Sequence, residues 1–198
     1  MHDAGADLPP LRPTPGSWGA LVAADLPAFL RDHGACEQQA ALTALSLVGS
    51  YPGDVDLCLR MTSLAAEEIV HLRKVLLLLG RRGLTLPGRR RNAWVAALHD
   101  AMDRRSAASL KVDRLLVAAL IEARSCERFA TARAHVSDPE VAALLDELGP
   151  AEARHWRTFH DLAARELPAG ELEARWSAWL AREGALAARF GISPEVHG

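Results

Sequence analysis

Apolar residues recur at three- and four-residue intervals along most of this chain, and the alternating β-branched runs that announce strands are absent. The pattern predicts an all-α protein. A first helix is expected from near Pro27, placed in a first turn after Asp25, to about Ser50. Tyr51-Pro-Gly-Asp54 reads as a turn, and Asp54 as the cap of a second helix reaching about Leu79 before Gly80 and Gly83. A short amphipathic helix is expected at 92–103 with Trp94, Ala97 and Leu98 on one side, and a long one at 108–135. Asp138-Pro139-Glu140 is a start signal for a fourth long helix running to about Glu166, which Pro168 and Gly170 break. A last helix at 171–189 carries Trp176, Trp179 and Leu186. Residues 1–17, rich in proline and glycine, read as a poorly ordered segment, and 18–198 as a single helical domain.

Four glutamates and two histidines break the apolar stripes of the long helices. Glu68-Ile-Val-His71 and Glu152-Ala-Arg-His155 are both Glu-x-x-His, and each follows a lone helical glutamate, Glu37 or Glu122. The intervals are matched: 37 to 68 is 31 residues and 122 to 152 is 30. Residues three apart on a helix share a face, so each Glu/His pair can aim at one metal ion. An interval of about 30 residues allows a helix of roughly 20, a turn, and a return to the same depth. This is the pattern of a ferritin-like four-helix bundle holding two metals, here with additional short helices. Around Glu122, the same side carries Leu115, Ala118, Ala119, Ser125, Cys126 and Phe129; around Glu37 it carries Ala41, Ala44 and Val48. Burying a carboxylate on such a stripe is costly unless it is paired, and metal coordination removes the cost. Glu127 lies about 140° around the helix from Glu122, which makes it a poor substitute. Glu67 competes with Glu68 as the partner of His71; the second motif, with Ala151 at the equivalent position, favours Glu68. The metal ligands are therefore read as Glu37, Glu68, His71, Glu122, Glu152 and His155. Hard carboxylates with two imidazoles suit iron or manganese.

Charge adds one feature. The formal net charge is −2, yet no acid occurs between Ile69 and His99, a stretch holding Arg73, Lys74, Arg81, Arg82, Arg89, Arg90 and Arg91. Such a block is a footprint for a polyanion, or else a solvated arginine-rich loop. Arg81, Arg82, Arg89, Arg90 and Arg91 are the candidate contacts to nucleic acid. The three cysteines, Cys36, Cys58 and Cys126, lack zinc-site spacing, which suits a reducing cytoplasmic compartment. No apolar run reaches the roughly 18 residues that a membrane span needs, and the amino terminus does not resemble a signal peptide. Pro150, two residues before Glu152, either kinks the fourth long helix or starts a new one. Cys126 reads as packing, His160 as a helix-surface residue, and Arg124 and Arg128 as ligand-supporting, phosphate-binding or salt-bridging.

The words around these ligands are familiar. Asp32-His-Gly-Ala-Cys-Glu37-Gln-Gln-Ala-Ala, Leu64-Ala-Ala-Glu-Glu68-Ile-Val-His71, Ile121-Glu-Ala-Arg-Ser-Cys-Glu-Arg-Phe129 and Glu152-Ala-Arg-His155 resemble the tRNA 2-methylthio-N6-isopentenyladenosine hydroxylase family from about Asp25 onward. The block from Ile121 to Phe129 is its most specific part; Gly34 and Pro150 depart from it without removing a ligand. The resemblance implies a ferritin-like, non-haem di-iron monooxygenase. It implies two iron ions on the same six residues, dioxygen as co-substrate, an external donor of two electrons, and tRNA carrying a prenylated adenosine beside the anticodon. A di-iron oxygenase acting on a small molecule, and a ferritin-type protein handling iron or peroxide, share the ligand set and remain rivals.

Overall fold

The computed structural model describes residues 8–88 and 92–197, and these form seven helices and no strand. Four are long: α2 (Leu26–Ser50), α3 (Val55–Arg81), α5 (Ala107–Arg133) and α6 (Pro139–Ala164). Three are accessory: α1 (Gly16–Ala24), α4 (Ala93–Asp100) and α7 (Ala169–Phe190). The starts follow the sequence signals. Asp25 accepts from the Ala28 amide, Asp54 from Leu57, Ser106 from Ser109, and Asp138 from Glu140 and Val141. Each such cap satisfies one or two of the amides that a helix leaves open at its start. Asn92 caps α4 in the same way.

α1 is an element that the apolar pattern did not predict. Gly16-Ser-Trp-Gly-Ala-Leu-Val-Ala-Ala has almost no polar face, so nothing in its periodicity marks a helix. Tertiary packing makes it one: Trp18 and Val22 are fully buried, and the helix lies against α5 and α2. Of the segment 1–17, residues 1–7 lie outside the described residues, while Arg12 and Thr14 bond to α5 through Arg124 and Glu127. α6 runs without interruption through Pro150, so the proline sits inside a continuous helix.

The long helices form two close pairs, α2 with α3 and α5 with α6. The pairs meet along α3 and α6, whereas α2 and α5 stand further apart. The apolar interior is divided in two. One cluster includes Ala44, Leu47, Leu64, Leu115, Leu120 and Phe159; the other includes Phe29, Leu30, Val75, Phe129, Val141 and Leu148. Along each long helix the candidate ligands fall between these clusters: Glu37 between Leu30 and Ala44, Glu68 between Leu64 and Val75, Glu122 between Leu120 and Phe129, Glu152 between Leu148 and Phe159. The bundle thus carries one buried polar layer between two dry ones.

Candidate metal centre

All six predicted residues are buried, at 1–7% exposure, and their side chains converge in that layer. Ligand atoms of Glu37, Glu68, His71 and Glu152 lie within 4.8 Å of one another, as do those of Glu68, Glu122, Glu152 and His155. Glu68 and Glu152 belong to both groups. The lone glutamates, which from spacing alone could have bridged or chelated, each belong to only one.

The atoms facing the centre have the character of a cation site. Glu37 Oε2, both Glu68 oxygens and the Nδ1 atoms of His71 and His155 are buried without a hydrogen bond. Nδ1 of His71 is 3.4 Å from Glu68 and 3.5 Å from Glu37; Nδ1 of His155 is 2.6 Å from Glu68. Donor atoms crowded this closely without well-formed hydrogen bonds are costly to bury unless protons or a cation collect them.

The protonation preferences express the same crowding. Burial pushes the Glu68 carboxyl up to about 7. Burial, together with the charges of Glu122 and Glu68, lifts Glu152 well above the carboxylate range. Burial alone would lower His71, but the Glu37 and Glu68 carboxylates beside it prevail and raise it to about 9. Glu37 goes the other way: burial works against its charge, and the His33 imidazole at 2.5 Å outweighs it, holding the carboxyl below its ordinary value. Protons and metal ions compete for these atoms.

Two neighbouring side chains support the ligands. Glu67, the rival to Glu68, points outward along the α3/α6 seam. It accepts from Arg154 at 2.9 Å, and its Oε2 lies 3.2 Å from His155 Nε2. A proton on Nε2 leaves Nδ1 free to face the centre, so this carboxylate selects the tautomer and aims the ring. His33, fully buried on α2, does the corresponding service for Glu37. Sequence reasoning missed His33; the signal was its place four residues, one helical turn, before a buried glutamate.

The other singled-out residues have plain partners. Glu127 accepts from Thr14 and Arg124, away from the centre. Arg124, nearly fully buried, forms an ion pair with buried Glu183 of α7. Arg128 donates to the Val196 carbonyl and lies over the Trp18 ring. The Cys126 thiol faces the Gly149 carbonyl at 3.6 Å, and burial pushes it up to about 11, far from a thiolate ligand. His160 is only half-buried, between Trp156 and Trp176. Trp179 donates to Asp113 in the core. Arg81 and Arg82 pair with Glu140 of α6 and with its capping residue Asp138, and Lys74 pairs with Glu147. The segment without acids therefore meets acids across space. Arg89, Arg90 and Arg91 lie outside the described residues.

The chain is similar to known proteins in sequence and in fold. The family model described as tRNA-(ms2io6A)-hydroxylase (MiaE) matches residues 11–198. A tRNA 2-(methylsulfanyl)-N(6)-isopentenyladenosine(37) hydroxylase of Pseudomonas putida is 41% identical over 151 residues, covering 76% of this chain and 73% of that protein. A hydroxylase of the same description from Salmonella typhimurium is 28% identical, covering 82% and 77%. Among solved structures, a Synechococcus protein with aldehyde deformylating oxygenase activity superposes with a TM-score of 0.88 at 30% identity, over 94% of each chain.

Proposed function

This chain belongs to the tRNA-(ms2io6A)-hydroxylase family, and from that membership we propose that it hydroxylates the isopentenyl group of a hypermodified adenosine beside the tRNA anticodon. The reaction is a monooxygenation. One atom of dioxygen enters a C–H bond as a hydroxyl, and the other leaves as water with two protons and two electrons, so an external electron donor is required. The observation that carries the proposal is the pair of overlapping ligand groups with Glu68 and Glu152 common to both. Two iron ions held there, with manganese the alternative, would supply the activation of dioxygen. Glu37 and His71 complete one group, and Glu122 and His155 the other.

The chain's own residues do the rest. Glu67 fixes the His155 tautomer, and His33 holds one oxygen of Glu37 so that the other faces inward. The apolar clusters above and below the polar layer exclude water and suit a five-carbon prenyl group. The arginine run Arg89-Arg90-Arg91 supplies phosphate contacts to tRNA, with Arg81 and Arg82 beside it in sequence. No helix among the described residues is long and apolar enough to cross a membrane, and we place the enzyme in the cytoplasm with its tRNA.

The test is turnover of prenylated tRNA with reductant under labelled dioxygen, followed by nucleoside mass analysis. One labelled oxygen atom is expected in the nucleoside. Label arriving from water, or iron accumulating far beyond two per chain without product, would overturn the proposal. The Synechococcus likeness keeps a second reading, a di-iron oxygenase acting on a small molecule such as an aldehyde; product from an aldehyde but none from tRNA would favour it.

A further inference from the structure

After α7 the chain turns at Gly191, where φ is +74°, and runs back into the molecule. Val196 and His197 are buried, at 0% and 4% exposure, in a cleft between α1, α2, α4 and α5, on the side where α2 and α5 stand apart. The His197 ring lies flat on Trp94, with centroids 5.0 Å apart and planes 9° from parallel. It is the only near-parallel ring pair among the described residues; the others are tilted or edge-on.

Resting on the proposed function, we propose that this cleft is the adenine-binding subsite, and that the 192–197 segment fills it in the absence of tRNA and swings out when the nucleotide enters. The segment presents the chemistry of a purine. A flat heteroaromatic ring covers Trp94, as a base covers a stacking platform. Beside it, the Val196 N–H donates to Asp32 at 2.8 Å while the Val196 carbonyl accepts from Arg128. An adenine edge offers the same adjacent donor and acceptor, the N6–H and a ring nitrogen. Ser125 Oγ lies 3.2 Å from the ring's Nε2, and Asn92 donates to the His197 backbone carbonyl at 3.1 Å.

Position agrees with chemistry. Ser125 is three residues from Glu122 on α5, an axial rise of about 4.5 Å. Asp32 likewise lies on α2 five residues before Glu37, so a base in the cleft sits on the side of the bundle whose helices carry Glu37 and Glu122. Asn92 and Trp94 also follow directly on Arg89-Arg90-Arg91 in the chain, which joins the base site to the phosphate-binding run. Gly191 supplies the pivot, since other residues rarely adopt its backbone conformation.

The experiment measures binding, separately from turnover. N6-isopentenyladenosine is titrated into the full-length, metal-loaded protein by equilibrium dialysis, with hydrogen exchange followed by mass spectrometry over 191–197. Nucleoside should accelerate exchange in this segment, the opposite of ordinary ligand protection. His197→Ala should bind about tenfold more tightly if the tail fills the cleft in roughly nine molecules of ten. Trp94→Leu should bind on the order of 10- to 100-fold more weakly, and Trp94→Phe should recover part of the loss. Metal content and melting temperature control for folding, and His197→Ala keeps the test decisive if Trp94→Leu fails to fold. Binding that leaves exchange in 191–197 unchanged, or a His197→Ala protein that binds no better than wild type or not at all, overturns the proposal. If wild type hydroxylates tRNA while the cleft variants bind as wild type does, the subsite is wrong and the hydroxylase reading stands. If nucleoside expels the tail but no labelled product forms, the subsite stands and the hydroxylase reading falls.

Discussion

The two long seams of the bundle differ in how they are closed. Along α3/α6 the helices touch, and a single side chain, Glu67, joins Arg154 to His155 across the seam. Outside it lies an open groove of about 320 Å³ with Glu67, Arg154 and His155 in its wall. Along α2/α5 the backbones stand further apart; Arg114 still bridges to Ser46 and Ser50 and Phe129 meets His33, while Trp18, Trp94, Val196 and His197 from remote parts of the chain fill space on the same side. Both seams carry a buried ligand with a partner, His155 with Glu67 and Glu37 with His33. A seam made of helix–helix contact holds its candidate ligands at fixed spacing and leaves its open space on the outside, beside Glu67 and His155. A seam closed partly by inserted side chains depends on segments distant in the chain.

The largest effect should come from the residues common to both ligand groups. Glu68→Ala or Glu152→Ala should take metal content from about two per chain, the number a di-iron carboxylate site implies, to well below one, and abolish turnover. His71→Ala and His155→Ala should also lose metal and activity. Glu127→Ala, whose carboxylate faces Thr14 and Arg124, should keep its metal. Elemental analysis decides; full metal content in the shared-ligand variants would dissolve the centre as described.

Next comes the α3/α6 seam itself. Glu67→Gln keeps the shape and removes the charge facing His155, and should cost about 10- to 100-fold in metal affinity or activity. The exposed Arg154 pair contributes little on its own, so Arg154→Ala should cost far less. Equal losses in the two variants would show that the ion pair, rather than the bond to the imidazole, matters.

The arginine run is tested by salt. Replacing Arg89, Arg90 and Arg91 with glutamine should flatten the log–log salt dependence of tRNA binding by roughly one unit, or slightly less, for each phosphate no longer neutralised. Arg81 and Arg82 are engaged with Asp138 and Glu140, so their replacement should change the slope less. An unaltered slope in the triple variant would return the arginine run to a solvated surface.

A smaller effect lies in pH. In the metal-free protein His71 is raised to about 9 and Glu68 to about 7. Both groups hold protons more tightly folded than unfolded, so their stabilisation is present at low pH. It fades for Glu68 as pH rises from its unfolded value through 7, and for His71 between about 6.5 and 9. The metal-free melting temperature should therefore fall by about 3–8 °C between pH 6 and pH 9, while metal affinity rises over the same range. A flat or rising metal-free profile would contradict the described crowding.

The smallest effect is at Gly34. A Cβ there would lie 2.6 Å from the end of the Leu86 side chain and 3.2 Å from Val75. Leu86 can give way, Val75 less easily, so Gly34→Ala should lower melting by about 2–4 °C, in line with a loss of about 1 kcal/mol. A larger loss would mean that the loop before α4 is anchored on α2 more rigidly than one leucine methyl allows.

Much of this protein was legible from its sequence because the relevant physics is local. Helix periodicity, the aspartate caps and the prolines placed the four long helices, and the i, i+3 spacing of Glu68/His71 and Glu152/His155 chose candidate ligands that the structure brings together. Matched intervals of 31 and 30 residues sufficed for depth, since a helix rises by a constant amount per residue. Tertiary structure alone decided the rest. It made α1 a helix, because burial of Trp18 and Val22 outweighs a sequence with no polar face. It made Glu68 and Glu152 common to both ligand groups, because sharing depends on which helices face each other. It gave Glu67 and His33 their roles and paired Arg81 and Arg82 with acids more than fifty residues away. It also brought His197 onto Trp94. Periodicity reports the face a residue occupies, and what lies opposite that face is settled only when distant segments pack.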